Sequence, residues 1–312
     1  MRTYRYCLLP FFILFSLSGC SSTNSAQTAP YVDLKHLDAL PTPVEGDIRP
    51  LKVAIAAVIS PQGSAESYEL LLDYLSEELG RPVESVQRRT YAEVNDLIRS
   101  GEVDLAFVCT SAYILGKNEF GMQLLVAPQV NNESVYHAQI IVPVNSTAQT
   151  LAELRGTRFA FTDPMSFTGR MYPTYLLQKM EEIPETFFAS TFFTFSHDDA
   201  IYAVADGLAD GASVDGLVLD FAMKRDPDLA SRIRIIHKSE PFGIPPVVVG
   251  PDIRPQLQSQ LQEILLNLGD TIKGQKALDA LDVDRFVFIE DESYDSIEDI
   301  ESALDFFNTD AR

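Results

Sequence analysis

The chain opens on an apolar run and then alternates between two periods. Cys7 to Leu17 (CLLPFFILFSL) is apolar behind Arg2 and Arg5, and is shorter than the ~20 residues a membrane-spanning helix requires. Residues 21–48 are rich in Ser, Thr, Pro and Ala with no sustained apolar period, the composition of a tether. From Leu51 the pattern sharpens. Leu51 to Ile59 has strand length, Ser60-Pro61-Gln62-Gly63 is a turn, and Tyr68, Leu71, Leu72, Leu75 and Leu79 recur at helical spacing up to Gly80. Val83 to Arg88 is a second strand. Thr90-Tyr91-Ala92-Glu93 is a capping box for a helix carrying Val94, Leu97 and Ile98 and ending at Gly101, and Val103 to Val108 is the next strand. This βαβαβ order predicts a mostly parallel sheet with helices on both faces.

A second series follows. Strands are expected at Tyr136–Val142, Arg158–Phe161, Phe188–Phe195, Ser213–Leu219 and Ile233–His237. Helices are expected at Thr150–Gly156, from Ser166 onward, and over His197–Leu208. Pro245-Pro246 introduces the strand Val247–Val249, two amphipathic helices cover Leu257–Leu268 and Gly274–Leu281, and the acidic tail Glu290–Asp310 reads as a last helix wrapping the first lobe. Two α/β series predict a two-lobed fold, with residues 49–142 and 246–312 in lobe 1 and residues 143–245 in lobe 2. Crossovers near Ile141–Pro143 and Glu240–Pro246 place a cleft where loops and helix N-termini of both lobes meet.

Composition narrows the compartment and the partners. Leu17-Ser18-Gly19-Cys20 resembles the bacterial lipobox, which implies a signal peptide over 1–19, lipidation of Cys20 and a tether over 20–48. An ordinary secretory signal with a cysteine at its junction is the other reading. Ser21, in place of the Asp that retains lipoproteins at the inner membrane of enteric-type bacteria, is compatible with the outer membrane. Losing Cys7 with the leader and lipidating Cys20 would leave Cys109 alone, so no internal disulfide is expected. The formal charge is −21, and −23 once Arg2 and Arg5 are removed, which argues against nucleic acid and anionic membrane surfaces as partners.

The most informative segment is Thr162-Asp163-Pro164-Met165-Ser166-Phe167-Thr168-Gly169, between a predicted strand and a predicted helix. Small hydroxyls and open N–H groups at a helix start form an anion site without Lys or Arg. Ser166 or Thr168 could equally serve only as an N-cap. Ser196-His197 sits at a second strand-to-helix junction, and Thr110-Ser111-Ala112-Tyr113 follows a strand at its carboxyl end.

Five segments together resemble the phosphate, phosphite and phosphonate-binding proteins of ABC transporters, which have the type 2 periplasmic binding protein fold. They are Tyr68 to Gly80, Gly101 to Phe107 with Ala112-Tyr113, Asp163 to Gly169, Ser196 to Gly207, and Val214-Asp215-Gly216. The resemblance implies phosphoryl contacts from Ser166, Thr168 and Gly169, first-lobe contacts from Tyr136, Ser111 and Tyr113, a histidine donor in His197 and an acidic cleft residue in Asp215. Phe167 stands where the family has a small polar residue, and the loop Ser60 to Ser64 matches no known contact.

The expected partners are a small phosphorus anion and an ABC permease or a membrane sensor, with the protein itself a monomer held to a membrane by its lipid. No cofactor or metal is expected, and no catalytic set is recognisable. His36, His137, His197 and His237 lack metal-ligand spacing, and no G-x-S-x-G, P-loop or dinucleotide fingerprint occurs. A sensing or accessory lipoprotein of the same fold is the alternative to transport.

Overall fold

The computed structural model describes residues 49–304. The predicted leader, Cys20 and tether lie outside the described residues, as does the end of the acidic tail. In chain order the strands are β1 (Leu51–Ile55), β2 (Val83–Gln87), β3 (Leu105–Phe107), β4 (Gln123–Gln129), β5 (Val135–Tyr136), β6 (Ala138–Pro143), β7 (Arg158–Phe161), β8 (Ser190–Phe193), β9 (Gly211–Asp215), β10 (Ile233–Lys238), β11 (Phe242–Gly243), β12 (Val247–Val249) and β13 (Arg285–Val287). They form a six-stranded sheet in the order β13-β4-β12-β3-β1-β2 and a five-stranded sheet in the order β10-β6-β9-β7-β8. A short β11-β5 ribbon is built from the two crossover segments.

Both sheets are mixed, not mostly parallel. β1 pairs in parallel with β2 and β3, and β7 with β8 and β9. β12, β4 and β13 run antiparallel in the first sheet, as do β6 and β10 against their partners in the second. The crossovers supply the reason. A chain arriving from the other lobe enters at the edge where the βαβ strands end, so its first strand, β6 or β12, runs the opposite way. β6 pairs with β9 and β10, so the change of sheet falls between Tyr136 and Ala138. The sequence boundary at residue 142 had kept this strand in lobe 1.

Local chemistry accounts for most element ends. The helix Pro61–Leu79 has proline in its first turn and stops at Gly80, which is left-handed at φ 59°. The helix Tyr91–Arg99 carries the predicted capping box: Thr90 Oγ1 accepts from Glu93 N, and Glu93 Oε2 accepts from Thr90 N at 3.0 Å. The expected strand Ser213–Leu219 is shorter than its apolar run. The Asp215 side chain accepts from Leu217 N at 2.8 Å, and a helix Gly216–Arg225 begins there. The helix Thr110–Phe120 and the strand β4 fill a stretch to which the sequence pattern assigns no element.

Three buried clusters serve one lobe each or its helices, and a fourth spans both lobes. That cluster joins Tyr91, Val94 and Tyr113 of lobe 1 to Phe167, Met171 and Tyr172 of lobe 2. Tyr294, Ile297 and Ile300 of the C-terminal segment belong to it too, so the helix Asp295–Leu304 packs across both lobes and does not wrap the first alone. Polar contacts cross at other points. His197 N–H donates to Val58 O at 2.9 Å, Ser60 N–H to Asp198 Oδ1 at 2.8 Å, and Tyr91 N–H to Asp163 Oδ2 at 3.1 Å. In this way each lobe caps helix N-termini of the other.

Candidate functional site

Strand β7 ends at Phe161, and the chain turns through Thr162 to Ser166 into a helix start. Asp163 holds the turn: its Oδ1 accepts from Met165 N at 2.8 Å while Oδ2 takes the Tyr91 N–H. Residues Phe167–Met171 wind as a single π turn, with Arg170 N and Met171 N both donating to Ser166 O at 3.0 Å, before the α-helix Tyr172–Gln178. Isolated π turns recur at functional sites because they widen the helix and re-aim its side chains. Ser166 is the N-cap, its Oγ accepting from Gly169 N at 3.1 Å.

His197 explains how the Ser166 hydroxyl is oriented. Its Nδ1 accepts from the Asp215 backbone N–H at 2.9 Å, so the neutral ring carries its proton on Nε2, 3.3 Å from Ser166 Oγ. Burial drives the imidazole down to about 3, which keeps it neutral. Ser166 Oγ therefore accepts twice within the protein, and its own proton is left to donate outward. Both nitrogens of His197 are thus engaged within the protein.

Several further hydroxyls converge here. Thr168 is buried, its carbonyl accepts from Ser213 Oγ at 2.6 Å, and its Oγ1 has no partner among the described residues. The same is true of Thr162 Oγ1 and Tyr91 OH. A buried hydroxyl without a partner costs on the order of 1–3 kcal/mol. Tyr136 OH is bonded to Thr110 Oγ1 beneath the cleft floor. Ser111 and Tyr113 turn elsewhere: Ser111 Oγ reaches Met171 Sδ at 3.2 Å, and Tyr113 OH donates to Asp291 at 2.6 Å.

Of the sequence-derived candidates, the structure groups Ser166, Thr168, Gly169, His197 and Asp215, sets Tyr136 close by in the same buried cluster as Phe167, joins Ser111 to Met171 of the π turn, and turns Tyr113 to Asp291 in the segment before the C-terminal helix. Tyr91 and Thr162 were missed. The capping box had accounted for Tyr91, and Thr162 opened the segment singled out after β7 without being assigned a ligand contact. Phe167 is fully buried and packs edge-on against Phe242, with ring centroids 4.7 Å apart, so its ring joins the aromatic core and leaves the hydroxyl face clear.

Two carboxyl groups give the region its acid chemistry. Burial raises Asp163 to about 6, opposed by the N–H groups of Met165 and Tyr91. Burial likewise raises Asp215 to about 7, opposed by the N–H groups of Leu217 and Val218. A raised carboxyl binds its proton more tightly in the folded state than in the unfolded one. Its stabilising effect is complete below the unfolded value near 4 and is lost as pH rises through 7. Asp215→Asn is thus expected to raise the melting temperature at about pH 8 and to change it little at about pH 4, by scanning calorimetry. Equal shifts at both pH values would show that Asp215 is not the titrating group. Cys109 is buried, and burial pushes its thiol up to about 12, so little thiolate forms near neutral pH.

Comparison with known proteins bears on the family and the fold. A family model described as "ABC transporter, phosphonate, periplasmic substrate-binding protein" matches residues 53–294. The phosphate-import protein PhnD of Mycolicibacterium smegmatis is 27% identical over 204 residues, 61% of this chain and 64% of that protein, so the match spans less than two thirds of that relative. A probable phosphite-binding protein PhnD1 of Prochlorococcus marinus is 23% identical over 83% of this chain and 91% of its own length. Among solved structures, a binding component of an ABC phosphonate transporter from Pseudomonas aeruginosa superposes with a TM-score of 0.77 at 21% identity, covering 81% of this chain and 86% of that one. PhnD1 of Prochlorococcus marinus in complex with methylphosphonate gives 0.74 at 21% identity, covering 82% and 98%. These likenesses establish the two-lobed α/β fold. With a family match over most of its described length, the chain belongs to the periplasmic phosphonate-binding substrate-binding proteins of ABC transporters.

Proposed function

We propose that the protein captures a phosphorus oxyanion or an organophosphonate between its lobes and delivers it to an ABC importer. The reading is carried by the convergence of Tyr91, Thr162 and Thr168, buried hydroxyls without partners, on a helix start whose cap, Ser166, has a proton free to donate. Hydroxyl and N–H donors act over one hydrogen bond, whereas surface carboxylates are screened beyond a Debye length of ~8 Å. A formal charge of −21 is therefore compatible with anion capture. The relatives' names span phosphate, phosphite and methylphosphonate, which share a tetrahedral phosphorus group. The lipobox-like Cys20 supports anchoring of the bound form near the membrane.

Scanning calorimetry of the full chain against phosphate, phosphite, methylphosphonate, 2-aminoethylphosphonate, sulfate and amino acids tests the proposal. A micromolar ligand at millimolar concentration adds about 4 kcal/mol and shifts the melting temperature on the order of 10 °C. Selective stabilisation by a phosphorus compound is expected. Stabilisation by sulfate or an amino acid alone, or by nothing in the panel, would overturn it.

A further inference from the structure

A cavity of about 510 Å³ is lined by residues of both lobes. Phe107, Val130 and Phe286 line it from lobe 1, and Leu217, Val218 and Phe221 from lobe 2. Its size falls within the ~300–1,000 Å³ of clefts that hold drug-sized molecules. A bare tetrahedral oxyanion fills only a few times the ~30 Å³ share of one water. Inorganic phosphate, phosphite or methylphosphonate would leave most of this space unused.

The chemistry of the wall says what the space suits. Lys224 lines the exposed rim, and its Nζ is already paired with Asp282 of the opposite lobe at 2.5 Å. The other charged groups on the wall, Asp215, Asp220 and Asp282 itself, are carboxyls, and burial raises the first two. An anion gains nothing from such a lining. Apolar surface does, at about 25 cal/mol per Å² removed from water. Ser64, Ser67, Tyr68 and Asn131 are its uncharged polar residues, and the hydroxyl of Ser67, 3% exposed, has no partner among the described residues. A few buried donors in a mainly apolar wall are how binding clefts orient a mainly hydrophobic guest.

Asp215 relates the cavity to the proposed phosphoryl site: it lines the cavity, and its backbone N–H is held by His197, which also meets Ser166. Ala56 and Val108, also on the wall, pack in the same buried cluster as Tyr91, Tyr136 and Phe167. We infer that the ligand is a phosphoryl compound bearing an extended apolar substituent, with its head at the Ser166–Thr168 hydroxyls and its alkyl or aryl tail in this cavity. The inference rests on the phosphoryl reading above and adds the class of substituent.

Titration calorimetry of the full chain with methyl-, butyl-, hexyl- and phenylphosphonate, and with hexanoate, separates the two claims. Affinity is expected to rise about fourfold per added methylene, corresponding to about 0.8 kcal/mol each. Leu217→Trp, or Val130→Trp from the opposite wall, should abolish that gain while the variant keeps its calorimetric unfolding transition. Phosphonates that bind with no dependence on chain length, or a gain that survives both substitutions, would overturn the tail assignment and leave the phosphoryl reading intact. Hexanoate binding with no phosphonate binding would instead overturn the phosphoryl head.

Discussion

Replacing Ser166 and Thr168 together by alanine is expected to weaken ligand binding by about a hundredfold while the protein stays folded. A hydrogen bond to a charged group contributes about 1.5–3 kcal/mol, so two lost donors remove about 3 kcal/mol or more. The two positions should differ in stability. Ser166 caps the helix through Gly169 N, and its loss costs about 1 kcal/mol even without ligand. Thr168 Oγ1 has no partner within the described protein, so Thr168→Val keeps the shape and removes an unsatisfied hydroxyl at little or no cost. Thr168→Val is therefore a clean probe: reduced affinity with a melting temperature of the free protein no lower than the parent's. A folded double variant that binds its ligand as tightly as the parent would show that the helix start is not the phosphoryl site.

The second large effect concerns Gly169. A Cβ at this position would lie 1.8 Å from Thr162 Oγ1 and 2.8 Å from Thr162 Cβ and Cγ2. The clash is with a buried threonine and not with a flexible chain end, so either β7 or the π turn must shift. Gly169→Ala is expected to destabilise the protein by about 3 kcal/mol, lowering the melting temperature by roughly 6–12 °C, and to displace Ser166 and Thr168 together. Thr162→Ala in the same chain removes the Oγ1 and Cγ2 clashes and leaves the 2.8 Å approach to Cβ, so it should restore part of the loss. Urea unfolding of the four proteins of this cycle measures the coupling. Strict additivity would mean that Gly169 and Thr162 do not meet as described.

How far the site was readable follows from these residues. The segment Asp163 to Gly169 was identifiable because a proline, two small hydroxyl residues and a glycine at a strand-to-helix junction have local consequences that do not depend on the rest of the chain. The cap of Ser166 and the capping box at Thr90 are of this kind. Tyr91 and Thr162 were not identifiable as polar groups awaiting a partner. Whether a hydroxyl is satisfied depends on what arrives from far along the chain, and Tyr91 is held against Asp163, 72 residues away. Tyr113 shows the converse. Its place after β3 fits a cleft contact, yet Asp291, 178 residues on, takes its hydroxyl.

The fold divides in the same way. The apolar period and the turn chemistry by themselves determined the number of α/β series, most helix ends and the two-lobed arrangement, because periods of two and 3.6 and caps act within a few residues. They could not show that Ser213–Leu219 breaks at Asp215, since Val218 and Leu219 are buried in a helix as they would be in a strand. They also could not show the direction of the crossover strands or the seat of the C-terminal helix across both lobes. Strand direction, the tautomer of His197 and the apolar cavity beside Asp215 were decided only when distant segments packed together. Each depends on contacts between segments far apart in the chain, and no local pattern encodes which surfaces will meet.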